Sequence, residues 1–179
     1  MGRSLNWPRF DSTEMDITDE SRVLHSVTTS SASATQALAA ELAAVLPKPS
    51  LVLLTGPLGA GKTTFVQGMA RGLGLKESIT SPSFLLMKEH QGLHPLRHLD
   101  LFRLKRQEEV LALGLTEDLP QDAVVVVEWA DRFPLRLDMP TLEVRMAERD
   151  QPNERRLDFY ARSFNAEDTA RIKNALRAD

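Results

Sequence analysis

The stretch SLVLLTGPLGAGKTT, residues 50–64, decides the fold. Its first six residues are a short, almost wholly apolar run, the pattern of a strand buried on both faces. Gly56, Pro57, Leu58, Gly59, Ala60, Gly61, Lys62 and Thr63 then match G-x-x-x-x-G-K-[ST] at every position. The spacing has a physical reason. Glycines let backbone N–H groups turn inward around phosphate oxygens, and the helix that follows presents its positive end to them. Lys62 is placed to reach the β- and γ-phosphates, and the Thr63 hydroxyl to bind Mg²⁺. The predicted nucleotide contacts are therefore Gly56, Leu58, Gly59, Ala60, Gly61, Lys62, Thr63 and Thr64. A glycine-rich turn can match such a pattern by chance, but seldom between a buried strand and a helix.

Outward from this centre the chain alternates between strand and helix patterns. Residues 23–29 read as a first strand. SATQALAAELAAVL, residues 33–46, has apolar residues at helical spacing with Ser33 as its N-cap, and Pro47 and Pro49 end it. A helix over 62–73 is stopped by Gly74. Residues 83–88 and 96–104 read as strands around a turn at 92–95, and 107–113 as a short helix closed by Gly114. AVVVVE, residues 123–128, is a second doubly buried strand. Two alternating runs, 141–147 and 155–161, predict an antiparallel hairpin, and Asn165 caps a last helix. The expected architecture is α/β: a P-loop NTPase fold with one mixed sheet, a parallel core and antiparallel edges, flanked by helices. Residues 23–179 read as a single domain. Residues 1–22 are polar and without period, and read as a flexible extension, or as upstream of a start at Met15.

Composition narrows the function. With 22 Lys and Arg against 25 Asp and Glu, the net charge of −3 argues against broad wrapping of nucleic acid. The absence of cysteine excludes disulfides, thiolate metal sites and a cysteine nucleophile. No apolar run approaches the roughly 20 residues of a membrane-spanning helix. The first ten residues lack the apolar core of a signal peptide, and Asn6 argues against reading Gly2 as a myristoylation site. A soluble, cytoplasmic protein with no membrane partner is the expectation.

A P-loop enzyme needs a carboxylate near its Mg²⁺, usually at the end of a neighbouring strand. Glu128 closes the run of valines, and Asp100 sits among apolar neighbours in HLDLFRL, residues 98–104. Each has a structural alternative: an acid facing water for Glu128, and a salt bridge to Arg103 or His98 for Asp100. Trp129 is expected to pack. His90, His94 and His98 share an i, i+4 spacing, but Gly92 and Pro95 break any helix that would make it meaningful, so no metal other than Mg²⁺ is expected. Ser81 and Ser83 lie in a loop where their hydroxyls could sense the γ-phosphate or simply start a turn.

Four segments together resemble one family. They are GPLGAGKTTFVQG, TSPSFLLMKEH, HLDLFRL followed by EEVLALGL, and VVVVEWADR. In order and spacing the chain is similar to the TsaE (YjeE) proteins of bacterial tRNA threonylcarbamoyladenosine synthesis, over roughly residues 23–160. The resemblance implies an ATPase that binds ATP and ADP with Mg²⁺ and works with TsaB and TsaD. That pair transfers a threonylcarbamoyl group to adenosine 37 of tRNA, so tRNA is reached through the complex. It further implies that Lys62 holds phosphate, Thr63 and Glu128 ligate Mg²⁺, and Asp100 supports hydrolysis. Residues 81–84 become a switch-like loop, and Thr35 lies on the adenine side. The chain has Ser83 where the family commonly has Thr, and Phe102 where it often has Tyr.

Other classes remain to be weighed. A small-molecule kinase would need a lid and arginines near the phosphates, for which Arg103, Arg106, Arg132 and Arg136 are candidates, but no lid segment is visible. No N/T-K-x-D segment reads guanine. A module in which nucleotide gates assembly without hydrolysis is the other alternative. The chain is short for an ABC or helicase protein and lacks their further motifs, and no cluster of basic and aromatic residues points to direct tRNA binding.

Overall fold

The computed structural model describes residues 23–82, 85–115, 117–135 and 137–177. The extension expected at 1–22, together with Ser83, Phe84 and Arg136, lies outside the described residues.

Chain order is β1 (His25–Thr29), α1 (Ala32–Val45), β2 (Ser50–Thr55), α2 (Lys62–Gly72), β3 (Met87–His90), β4 (Leu96–Asp100), α3 (Gln107–Leu111), β5 (Val124–Glu128), β6 (Thr141–Glu148), β7 (Arg155–Arg162) and α4 (Ala166–Ala175). A 3₁₀ turn, Ala130–Arg132, follows β5. The strands form one sheet in the order β1-β7-β6-β2-β5-β4-β3. β6, β2, β5 and β4 run parallel, while β7 with β1 and β3 pair antiparallel at the two edges. The mixed sheet expected from the sequence is the one observed.

Strand alternation divides the core in two. Val52, Leu54, Val124, Val126 and Leu96 face α1, α2 and α4 with Leu42, Phe65 and Met69. Leu51, Leu53, Val125, Val127 and Leu99 face the other way, toward Val110 of α3 and Ala130 of the 3₁₀ turn. Because β2, β5 and β4 are buried on both faces, alternation is invisible in their sequence. Helices α1 and α2 meet almost backbone to backbone. A Cβ on Gly68 would lie 2.3 Å from the Gln36 carbonyl oxygen, and one on Gly72 would lie 2.2 Å from that of Ala40.

Several boundaries shift from their sequence reading. The N-cap of α1 is Ser31, whose side chain accepts from the Ala34 N–H, and Ser33 lies inside the first turn. Both serines fit an N-cap by type, and the backbone decides: Ser31 is extended, as a cap must be. β3 begins at Met87 and β4 ends at Asp100, where the chain turns out of the sheet. The stops at Gly74 and Gly114, with φ of 74° and 59°, and the cap at Asn165 are as expected.

Candidate active site

The P-loop leaves the end of β2 and turns into α2 through three glycines at positive φ: Gly56 (130°), Gly59 (83°) and Gly61 (98°). Gly56 is fixed twice over, because a Cβ there would also sit 2.2 Å from the Met146 carbonyl oxygen. Leu58 is 80% exposed at the tip, while Ala60 is buried beneath it. From β7, Arg155 reaches across and donates to the Gly59 carbonyl at 3.2 and 3.3 Å, bracing the loop. Nothing in the sequence pairs positions so far apart, so this brace is a residue the sequence reading missed.

Sheet register builds the acidic side. Leu54 of β2 lies opposite Glu128 of β5, and Glu128 opposite Asp100 of β4. One row at the carboxyl ends of the parallel strands thus carries both acids on the α2 face, beside the P-loop, where open α/β sheets bind ligands. A cleft of about 530 Å³ lies there, lined by Lys62, Thr63, Ser81, Asp100, Arg103 and Glu128 among others. That is a volume common for small-molecule sites.

Thr63 Oγ1 donates to Glu128 at 2.9 and 3.1 Å. The other partner of Glu128 is His98, whose Nε2 lies 2.8 Å from Oε1. Asp100 accepts from the Phe102 N–H at 2.9 Å and from the Ser81 hydroxyl. Of the two partners proposed for a structural Asp100, His98 goes to Glu128 instead. Ser81 therefore stands at the cleft as part of the predicted loop, while Ser83 is outside the described residues.

Lys62 donates to the carbonyls of Gly56 (2.7 Å) and Pro57 (2.9 Å), and its Nζ sits 3.5 Å from the centre of the Trp129 ring. Burial pushes its ammonium below the usual lysine value, and the charges of Glu128, Asp131 and Asp100 oppose that shift. Trp129 packs, as expected, against Phe102 at 4.8 Å between ring centres, but its other contact is the P-loop lysine. Its backbone is left-handed (φ 60°, ψ 38°), which turns the ring back over the cleft.

Thr35 and the arginines weighed for a kinase are placed as follows. Thr35 is buried with its hydroxyl shared between Thr29 Oγ1 (2.7 Å) and the Ser31 carbonyl (3.2 Å), and it does not line the cleft. Among the described arginines considered for a kinase, Arg103 lines the cleft. Arg132 donates to the Leu104 carbonyl, and Arg106 pairs with Glu109 in solvent.

Oxygen donors suit Mg²⁺, which takes one or two protein oxygens and completes its shell with phosphates and water. Thr63 Oγ1 and the Glu128 carboxylate, already in contact, form such a pair. No group of three or more His, Asp or Glu is arranged to hold a metal among the described residues. None of the helices among those residues is long and apolar enough to cross a membrane.

A glycine cradle leaving a buried central strand, with Lys62 and Thr63 facing a strand-end carboxylate, defines the class as a P-loop NTPase fold. The model of one family, threonylcarbamoyl adenosine biosynthesis protein TsaE, matches residues 29–157, and the chain belongs to that family. The Bacillus subtilis (strain 168) tRNA threonylcarbamoyladenosine biosynthesis protein TsaE is 40% identical over 124 residues, 68% of this chain and 77% of that protein. Its Nostoc counterpart is 46% identical over 102 residues, 53% of this chain and 61% of its own length. The crystal structure of Bacillus subtilis YdiB is also similar, with a TM-score of 0.60 at 30% identity, over 86% of this chain and 94% of that one.

Proposed function

We propose that this chain binds and hydrolyses ATP with Mg²⁺ and that its hydrolysis serves formation of N6-threonylcarbamoyladenosine in tRNA, in company with TsaB and TsaD. Its family membership and the names of its relatives support the pathway. The observation that carries the chemistry is the contact of Thr63 with Glu128 at the mouth of the P-loop. Bound Mg²⁺ would neutralise charge on the phosphates, held by Thr63 and Glu128.

Each remaining role belongs to the chain itself. Lys62 exchanges its two carbonyl partners for phosphate oxygens and gains a stronger, charge-assisted contact. Asp100 supports hydrolysis from the neighbouring strand end, with Ser81 as its link to the switch-like loop. Trp129 shields the lysine from solvent until the phosphates arrive. The described residues of the cleft hold no imidazole facing its interior that would serve as a free base, which supports weak turnover alone and activation by partners. With Arg103 as the one arginine lining the cleft among the described residues, a kinase reading has less support.

The test is ATP hydrolysis by the purified chain, by a TsaB–TsaD pair, and by all three together. Stimulation in the mixture that is lost with Lys62→Ala is expected. High turnover by the chain alone, or phosphate delivered to a small metabolite rather than to water, would overturn the reading.

A further inference from the structure

Behind Glu128 lies a buried polar chain that no phosphate contact uses. His98 precedes Asp100 by two residues on β4 and so shares its sheet face. Register pairs Lys88 with His98 and His90 with Leu96, which puts the His90 and His98 rings on that face, one diagonal apart. Both side chains are fully buried. At the outer end His90 Nδ1 bonds the Glu77 carboxylate, and at the inner end His98 Nε2 bonds Glu128. The two remaining ring nitrogens, His90 Nε2 and His98 Nδ1, are buried and have no protein partner.

Hydrogen-bond chemistry restricts what can join them. Carboxylates only accept, so the proton of each neutral ring sits on its outer nitrogen. Both inner nitrogens are then acceptors. The ring centres are 6.4 Å apart. With each nitrogen roughly 1.2 Å from its ring centre, the inner pair stands at least about 4 Å apart, too far for a direct bond. A water molecule carries two donors, which is what two buried acceptors beyond direct reach of each other require.

We propose that Glu77, His90, one buried water and His98 form a positioning chain that holds the Glu128 carboxylate in its orientation toward Thr63. The water site between the imidazoles is the central member, and His98 is a positioning residue. Hydrogen-bonded partners behind a metal-binding group fix its direction, and the surface end of this chain, Glu77, is half-exposed. The functional consequence rests on Glu128 as a Mg²⁺ ligand, whereas the chain itself does not.

Two measurements test it separately. Ring ¹⁵N spectra of the nucleotide-free protein should place the His90 proton at Nδ1 and the His98 proton at Nε2, with His90→Phe shifting the His98 Nδ1 resonance. A His98 ring protonated at Nδ1, or one indifferent to His90→Phe, overturns the chain. Calorimetric titration of Mg²⁺ into the ADP-loaded protein should show about 10- to 100-fold weaker binding in His98→Leu. His98→Gln, whose amide can donate from nearly the same place, should recover most of that loss. Equal affinity in His98→Leu and the parent overturns the positioning role. If Glu128→Gln binds Mg²⁺ like the parent, the metal reading falls, and the spectra still decide the chain.

Discussion

Arg97 and His98 are neighbours on β4, yet strand alternation sends them to opposite faces of the sheet, into two different kinds of buried polar environment. Arg97 is 7% exposed on the α3 side. Its guanidinium donates to the carbonyls of Gly114, Leu115 and Glu117 and to the Glu89 carboxylate. Such a fork is saturated, and what it does is staple Gly114, Leu115 and Glu117 to the sheet. On the α2 side, Lys62, Thr63, Asp100 and Glu128 are also buried or nearly so, but their polar atoms line an open cleft. Neither burial nor charge separates the two groups. The difference is whether the available hydrogen bonds end inside the protein or point at space a ligand can fill.

Substitutions on the two sides should therefore fail in different ways. Lys62→Ala should lower partner-stimulated ATP hydrolysis by about 10²–10³-fold, the range for losing one donor aimed at developing charge, while circular dichroism melting stays near the parent. A large fall in melting temperature would erase the contrast. Glu128→Gln should cost about 10²-fold in turnover with the fold intact, read by the same two assays. Arg97→Leu should do the reverse: turnover per folded molecule unchanged, and about 2–3 kcal/mol less stability in urea unfolding from three stranded carbonyls. A turnover defect there would show that the α3 face is wired to the site. Glu89→Gln should cost less still, about 0–1 kcal/mol, because its carboxylate is 52% exposed.

What the sequence disclosed follows from how local each feature is. Residues 50–64 carry strand, turn and helix in unbroken succession, so the cradle and its helix stand where expected. Glu128 was legible as a strand-end acid, and Asp100 as a carboxylate inside a run read as strand over 96–104, which in the structure ends at Asp100. Their common row was not, because it depends on β4 lying beside β5 in the sheet. His98 illustrates the limit. It was weighed as a partner of Asp100, two residues on, whereas the carboxylate it bonds is Glu128, 30 residues away on the neighbouring strand. Arg155, and the contact of Trp129 with Lys62, were missed for similar reasons: one acts across the hairpin, and the other depends on a left-handed backbone at a residue type that rarely adopts it.

The glycine contacts between α1 and α2 have a mechanical consequence. Side chains normally form a compliant layer between helices, able to change rotamer and absorb small displacements. At Gly68 and Gly72 that layer is missing. A push on the start of α2, where the proposed function puts phosphate, would then be transmitted to α1 with little damping, and through the Thr29–Thr35 contact to the edge strand β1. Amide exchange in α1 and α2 should accordingly slow in step when nucleotide is added, and protection confined to α2 would refute the coupling. Stiffness at this crossing would make the far edge of the sheet a reporter of what occupies the cradle.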